Sequence, residues 1–140
     1  MQVLNPFAYD QADKLLKKLD LPVIDRSQEG SCYWGEWQGS QLIGLVGLEV
    51  YGHLGLLRSL AVDPARQGTG LGKQLLNHIL AQAKDLELEA IYLLTTTARD
   101  YFIRFGFAEI ERHLVPTEIR ASSEFHSVCP SSATVMVWRG

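Results

Sequence analysis

The chain has 140 residues, of which 46% are hydrophobic and 21% charged, with a net charge of −3 and an isoelectric point near 5.8. This composition is typical of a single globular domain over residues 1–140, and its acidic balance argues against nucleic acid as a partner. Cys32 and Cys129 are too far apart in the chain for a CxxC motif, which excludes the usual disulfide and zinc patterns. The missing zinc pattern leads us to expect no bound metal. We expect a cytoplasmic protein, because the first ten residues show no secretory signal and no apolar run could span a membrane.

Hydrophobic periodicity and turn-forming residues divide the chain into ten predicted elements. Apolar or alternating runs predict strands over residues 1–5, 31–38, 41–50, 54–62, 90–96, 107–113 and 134–139. Apolar side chains at helical spacing predict helices over residues 7–21, 71–86 and 98–106. The second and third strands flank Gly39-Ser40, a pair typical of a hairpin turn.

The order of these elements is β-α-β-β-β-α-β-α-β-β, which predicts an α/β fold. Residues 54–96 form a strand–turn–helix–strand unit, and such a unit places its two strands parallel. Strands joined by hairpins must instead be antiparallel. We therefore expect a mixed, mostly antiparallel central sheet with one parallel βαβ unit and helices on both faces.

Three glycines, Gly68, Gly70 and Gly72, lie between the strand and the helix of that unit, where phosphate-binding loops commonly occur. A Walker A loop is excluded, because Gly68 and Gly72 are one residue too close and Gln74 occupies the Ser/Thr position. A dinucleotide fingerprint fits poorly, because Lys73 stands at the position of its last glycine.

The pattern [QR]-x-x-G-x-[GA] fits in full at Gln67, Gly70 and Gly72. In this pattern the segment resembles the acetyl-CoA pyrophosphate loop of the GNAT superfamily of N-acetyltransferases. A bulky anion suits such a loop, because unpaired backbone N–H groups at a helix N-terminus favour it and glycines remove the Cβ atoms that would exclude it. The alternative is a tight turn in which glycine is needed only for a positive φ.

A second match lies downstream, where "ARDYFIRFGF" over residues 98–107 is similar to another motif of that superfamily. The resemblance covers about residues 41–107 and implies the GNAT fold, acetyl-CoA as co-substrate, and direct acetyl transfer to an amine. The residues that it implies for coenzyme binding are Leu60, Ala61, Val62, Gln67, Gly68, Thr69, Gly70, Leu71, Gly72, Lys73 and Phe102.

The resemblance is less complete at the catalytic positions. The tyrosine that many relatives use as the leaving-group acid is replaced by Phe102, so we predict Tyr101 as the acid, or else as a packed aromatic. Relatives often carry a glutamate on the strand before the loop, but strand alternation places Leu56, Arg58 and Leu60 on that face. Glu49 is the nearest candidate base, and the alternative is a solvated hairpin residue.

Arg58 lies among leucines, and a buried arginine needs an anionic partner. We predict that Arg58 binds a carboxylate of the acceptor; the alternatives are an internal salt bridge, for instance to Glu49, or a contact with the coenzyme. Residues 119–136 resemble the tail of the arsenic-resistance-associated subgroup of GNAT enzymes. That resemblance implies an α-amino acid acceptor or a toxic, glutamate-like arsenical or phosphinic analogue. Phe125 and His126 are candidates for lining the acceptor site; the alternative is a capped helix over residues 116–125, followed by a proline turn that packs Val128 and Cys129 into the core.

The sequence therefore predicts an acetyl-CoA-dependent N-acetyltransferase for a small amine, present as a monomer or homodimer, with neither nucleic acid nor membrane as a partner. A protein or peptide N-acetyltransferase is one alternative. A non-catalytic acyl-CoA-binding module is the other, because the usual glutamate and tyrosine positions are not filled.

Overall fold

The computed structural model describes residues 1–24, 30–122, 125 and 132–140. The strands are β1 Gln2–Val3, β2 Ser31–Gln38, β3 Gln41–Tyr51, β4 Leu54–Val62, β5 Ala90–Thr95, β6 Ala108–Glu109 and β7 Thr134–Arg139. The helices are α1 Tyr9–Lys18, α2 Leu71–Asp85, α3 Arg99–Ile103 and α4 Thr117–Arg120. The predicted order is confirmed, with the short helix α4 added before the last strand.

The seven strands form one sheet in the order β1-β2-β3-β4-β5-β7-β6. The β1/β2, β2/β3, β5/β7 and β6/β7 pairs are antiparallel, and β4 and β5, which α2 connects along the chain, are parallel. The parallel register places Leu54–Leu56 opposite Ala90–Tyr92. This topology confirms the predicted mixed, mostly antiparallel α/β fold.

The chain divides into two compact units. The first comprises residues 1–49 and 57–82, and the buried face of α1 contributes Ala12, Leu15 and Leu16 to its hydrophobic core beside Leu42 and Leu45 of β3. The apolar stripe that predicted α1 from the sequence is therefore the face that is buried.

The second unit comprises residues 50–56 and 83–140. Its core joins side chains of β5 and β7 to Ile119 of α4 and to Phe125. Within the described part of the chain, no helix is both long and apolar enough to cross a membrane.

Several predicted elements are shorter in the structure. Helix α1 begins at Tyr9 because Asn5 caps a 3₁₀ turn over Pro6–Ala8, accepting a hydrogen bond from the Phe7 N–H at 2.9 Å. Strand β6 spans two residues rather than residues 107–113, because the chain turns into a 3₁₀ helix at Arg112–Leu114.

Candidate active site

The glycine loop in the first unit lies between a 3₁₀ turn, Pro64–Arg66, and the N-terminus of α2. Gly68 and Gly70 have φ angles of +81° and +87°, in the left-handed region that favours glycine. A Cβ atom at either position would have no heavy atom within 4 Å. The two glycines are therefore required by the backbone conformation, and they face open space into which a bulky group could fit.

Strand β4 leads into this loop and contains an irregular residue. Ser59 is 9% exposed and has a φ of +62°, an uncommon conformation for a residue other than glycine. Beyond the register of Leu54–Leu56 with β5, β4 continues through Leu57–Val62. This extension holds the three residues predicted to contact the pantetheine arm: Leu60, Ala61 and Val62.

The predicted alternation along β4 is wrong at this point. It requires extended residues throughout, so that Arg58 and Leu60 share a face. Because Ser59 is not extended, strict alternation does not hold across it. The sequence carries no signal for this irregularity, since serine is not a residue that marks a left-handed position.

Arg58 and Glu49 form a buried ion pair in the first unit. Arg58 Nη1 donates to Glu49 Oε2 at 2.6 Å, and Arg58 Nη2 donates to the carbonyl oxygen of Val23 at 3.2 Å. The two side chains are 1% and 0% exposed. The internal salt bridge to Glu49, one of the alternatives for Arg58, is thus present. The interpretation of Glu49 as a solvated residue is wrong. The roles of Glu49 as base and of Arg58 in acceptor binding stay predictions.

A glycine makes room for this pair. A Cβ atom at Gly47 would lie 2.5 Å from Cε1 of Tyr33 and 3.3 Å from Cγ of Arg58. A distance below 3 Å to a ring atom requires displacement of the ring. Gly47 therefore allows the Tyr33 ring and the Arg58 stem to pack against β3.

Tyr101 and Phe102 lie on α3 in the second unit. Phe102 is buried and packs edge-to-face on Phe107, with ring centroids 5.6 Å apart. Tyr101 is half-buried and contacts the rings of Phe102 and Phe105. Burial raises the pKa of the Tyr101 hydroxyl, and the nearby positive charge of Arg104 opposes that shift. The hydroxyl is therefore protonated at neutral pH and able to donate a proton.

Phe125 is packed in the core of the second unit, with the guanidinium of Arg112 5.5 Å from its ring centroid. A role of Phe125 in acceptor binding stays a prediction. His126 lies outside the described residues. Asp63 is not among the residues predicted from the sequence, although Asp-Pro is a pair typical of turns.

A model of the Acetyltransferase (GNAT) family matches residues 3–107 of the chain. The chain belongs to this family. Membership confirms the predicted family.

An amino-acid acetyltransferase of Mycobacterium tuberculosis is 36% identical to this GNAT chain over 92 residues, covering 65% of the chain and 49% of that protein. The chain thus spans about half the length of this relative. The N-acetylglutamate synthase of Neisseria gonorrhoeae, solved with coenzyme A and N-acetyl-glutamate, matches with a TM-score of 0.81 at 20% identity, covering 99% of the chain and 34% of that protein. The structure of an M. tuberculosis protein solved with CoA and NLQ matches with a TM-score of 0.78 at 22% identity, covering 97% of the chain and 96% of that protein. The two structural likenesses show the fold.

Proposed function

We propose that the chain transfers the acetyl group of acetyl-CoA directly to the α-amino group of a small amino acid. The observation that carries the proposal is the glycine loop at the start of α2, where Gly68 and Gly70 hold left-handed conformations and face open space. A pyrophosphate suits this place, because the first N–H groups of a 15-residue helix have no intrahelical partner and the helix dipole favours an anion.

The donor arm has a second point of contact in the proposal. Beyond Leu56, β4 continues past its register with β5, so the backbone of Leu60–Val62 is a candidate to pair with the amide groups of pantetheine. A backbone N–H of the same segment is our candidate donor to the oxyanion of the tetrahedral intermediate. Ser59 redirects the backbone just before this segment, which supports a functional reason for its unusual φ.

The reaction that we propose is a direct substitution at the thioester carbon. The neutral amine attacks that carbon, the C–S bond breaks, the amine nitrogen gives a proton through water to the predicted base Glu49, and the coenzyme A thiolate accepts a proton from Tyr101. Tyr101 is the proposed acid, because its raised pKa keeps the hydroxyl protonated. Glu49 is the predicted base, and its carboxylate forms the 2.6 Å ion pair with Arg58. Because the attacking amine must be neutral, we expect the rate to rise with pH as the free amine loses its proton.

An amino acid acceptor is supported by two similar proteins: the M. tuberculosis relative is an amino-acid acetyltransferase, and the Neisseria enzyme was solved with N-acetyl-glutamate. The resemblance of residues 119–136 to the arsenic-associated subgroup extends the proposal to arsenical or phosphinic analogues of glutamate. These compounds carry the same α-amino and α-carboxyl groups, so one acceptor site could bind either.

The test is release of free thiol from acetyl-CoA, measured with each of the twenty amino acids, with phosphinic and arsinic analogues of glutamate, and with peptides that have free N-termini. Turnover on one or a few α-amino acids or analogues supports the proposal. Turnover confined to peptides supports a peptide N-acetyltransferase instead. Binding of coenzyme A by calorimetry with no turnover on any amine supports a binding module and contradicts the proposal.

A further inference from the structure

Asp63 is a buried carboxylate at the end of β4, directly before the segment that leads into the glycine loop. It is 6% exposed, whereas Pro64, Ala65 and all of Gln67–Gly70 are exposed. A segment that buries so little surface depends on hydrogen bonds for its conformation. The contacts of Asp63 therefore determine how this segment leaves the first unit.

Both carboxylate oxygens of Asp63 have partners. Oδ1 accepts a hydrogen bond from the Ala65 N–H at 2.9 Å, and Oδ2 accepts one from Gln41 Nε2 at 3.3 Å. Lys18 Nζ of α1 lies 3.9 Å from Oδ2. The Asp63 N–H donates to the carbonyl oxygen of Ile43 at 2.8 Å. Asp63 thus joins the 3₁₀ turn to β3 and to α1.

A series of hydrogen bonds runs from Asp63 to the start of α2. The Arg66 N–H donates to the carbonyl oxygen of Asp63 at 2.7 Å, and Thr69 Oγ1 donates to the carbonyl oxygen of Arg66. The Gln74 N–H then donates to the carbonyl oxygen of Gly70 at 3.1 Å. The two left-handed glycines lie inside this series, so its first member affects their position.

The charge of Asp63 makes a direct contact with a pyrophosphate unfavourable, because like charges repel. Lys18 offsets part of that charge, and Gln41 donates a hydrogen bond to the same carboxylate oxygen. We propose that Asp63 is a positioning residue, which holds the glycine loop in its coenzyme-binding conformation through Ala65 and Arg66. This inference rests on the proposed function of the loop and adds a residue outside it.

The chain contains a matched control for this interaction. Asn5 precedes Pro6 as Asp63 precedes Pro64, and its side chain accepts a hydrogen bond from the Phe7 N–H at the same 2.9 Å. Both residues cap a three-residue 3₁₀ turn. Only the turn after Asp63 continues into the glycine loop. Asn5→Ala therefore removes the same type of cap without touching the loop.

The experiment measures the dissociation constant of coenzyme A by calorimetry and stability by urea unfolding for Asp63→Ala, Asp63→Asn and Asn5→Ala. We expect Asp63→Ala to weaken coenzyme A binding roughly tenfold, which corresponds to the loss of one cap. The dissociation constant of Asp63→Asn should stay within about threefold of the wild-type value. Asparagine also caps, and the exposed Gln41 amide can flip so that its oxygen accepts a hydrogen bond from the asparagine. Asn5→Ala should bind as the wild type does.

Wild-type affinity in Asp63→Ala, or a loss in Asp63→Asn as large as in Asp63→Ala, would overturn the inference. If Asp63→Ala does not fold, Gln41→Ala serves instead, because this exposed side chain contacts one carboxylate oxygen of Asp63. We expect Gln41→Ala to weaken coenzyme A binding about twofold to fourfold. Unchanged affinity in that variant overturns the inference.

A wild-type protein that binds coenzyme A without acetylating any amine contradicts the proposed function but not this inference. A wild-type protein that binds no coenzyme A overturns both.

Discussion

Arg58 and Glu49 form an ion pair of 2.6 Å between adjacent strands of one hairpin, with neither side chain reached by solvent. The second Arg58 nitrogen donates to Val23, so the same guanidinium also holds the chain that follows α1. Removing one partner of such a pair leaves an uncompensated buried charge, whereas replacing both with apolar residues removes the desolvation cost as well.

We therefore expect Arg58→Met to lower the free energy of unfolding by about 3–5 kcal/mol, and the double variant Arg58→Met/Glu49→Leu to recover much of that loss. Urea unfolding measures both. Arg99→Met is the control, because Arg99 pairs with Glu109 at 2.9 Å but is half-exposed, and we expect little change there. A single variant as stable as the wild type would contradict the structural role.

The predicted acceptor role of Arg58 needs a variant that folds. Arg58→Lys keeps a positive charge near Glu49 and gives up the forked geometry that suits a carboxylate. If Arg58 binds the acceptor, this variant should raise the KM for the amine at least about tenfold and leave the KM for acetyl-CoA unchanged. Equal effects on the two substrates would assign Arg58 to the ion pair alone.

The glycine loop gives a prediction for the donor. Gly70→Ala introduces a side chain at a φ of +87°, which costs about 1–2 kcal/mol, and places a methyl group in the open space where we propose that the pyrophosphate binds. We expect the KM for acetyl-CoA to rise roughly tenfold or more. Gly39→Ala in the β2–β3 turn is the matched control, because Gly39 also has a positive φ and no atom within 4 Å of its Cβ position. Steady-state kinetics should show a normal KM there, and an equal rise in both variants would remove the loop from coenzyme binding.

Tyr101 gives a prediction for the chemical step. Because its pKa is raised, the hydroxyl should stay protonated up to at least about pH 9, so wild-type kcat should not fall on that account. Tyr101→Phe should lower kcat about 100-fold across this range, with little change in either KM, if the hydroxyl protonates the leaving thiolate. A variant with wild-type kcat and unchanged urea unfolding would show that Tyr101 serves in packing alone.

His78 on α2 predicts a dependence of stability on pH. Burial lowers its pKa, its Nε2 atom has no hydrogen-bond partner among the described residues, and the ring of Trp34 packs edge-on at 5.1 Å. The unfolded chain then binds a proton more readily than the folded one, so stability falls as the pH drops below the ordinary histidine value of about 6.5. Urea unfolding at pH 7.5 and 5.5 should show this loss, and His78→Gln should reduce it. The exposed His113 provides a control, since His113→Gln should leave the wild-type loss in place.

The sequence predicted the order of elements and the glycine loop, because both depend on local patterns. Each of these patterns involves residues close together along the chain: the apolar stripe of α1, the Gly39-Ser40 turn and the spacing of the loop glycines. Contacts between residues far apart in the chain could not be predicted from such local patterns. The burial of Glu49 depends on Arg58 nine residues later, and a carboxylate near a strand end gives no sign of whether it faces water or a guanidinium.

Ser59 shows a second reason why the sequence did not predict the whole site. Strand alternation is a rule for extended residues, and one left-handed residue alters the facing of every side chain after it. Glycine or asparagine would have signalled the change, but serine does not. The Asp63-Pro64 pair is typical of a turn, but the contacts of Asp63 with Gln41 and Lys18 depend on the packing of β3 and α1.

The space above Gly47 has a consequence for how this protein can diverge. Because a Cβ atom at position 47 would lie 2.5 Å from Cε1 of Tyr33, any side chain there requires the tyrosine ring to shift. A smaller residue at position 33 removes that constraint, so we expect the effect of a substitution at position 47 to depend on which residue is present at position 33.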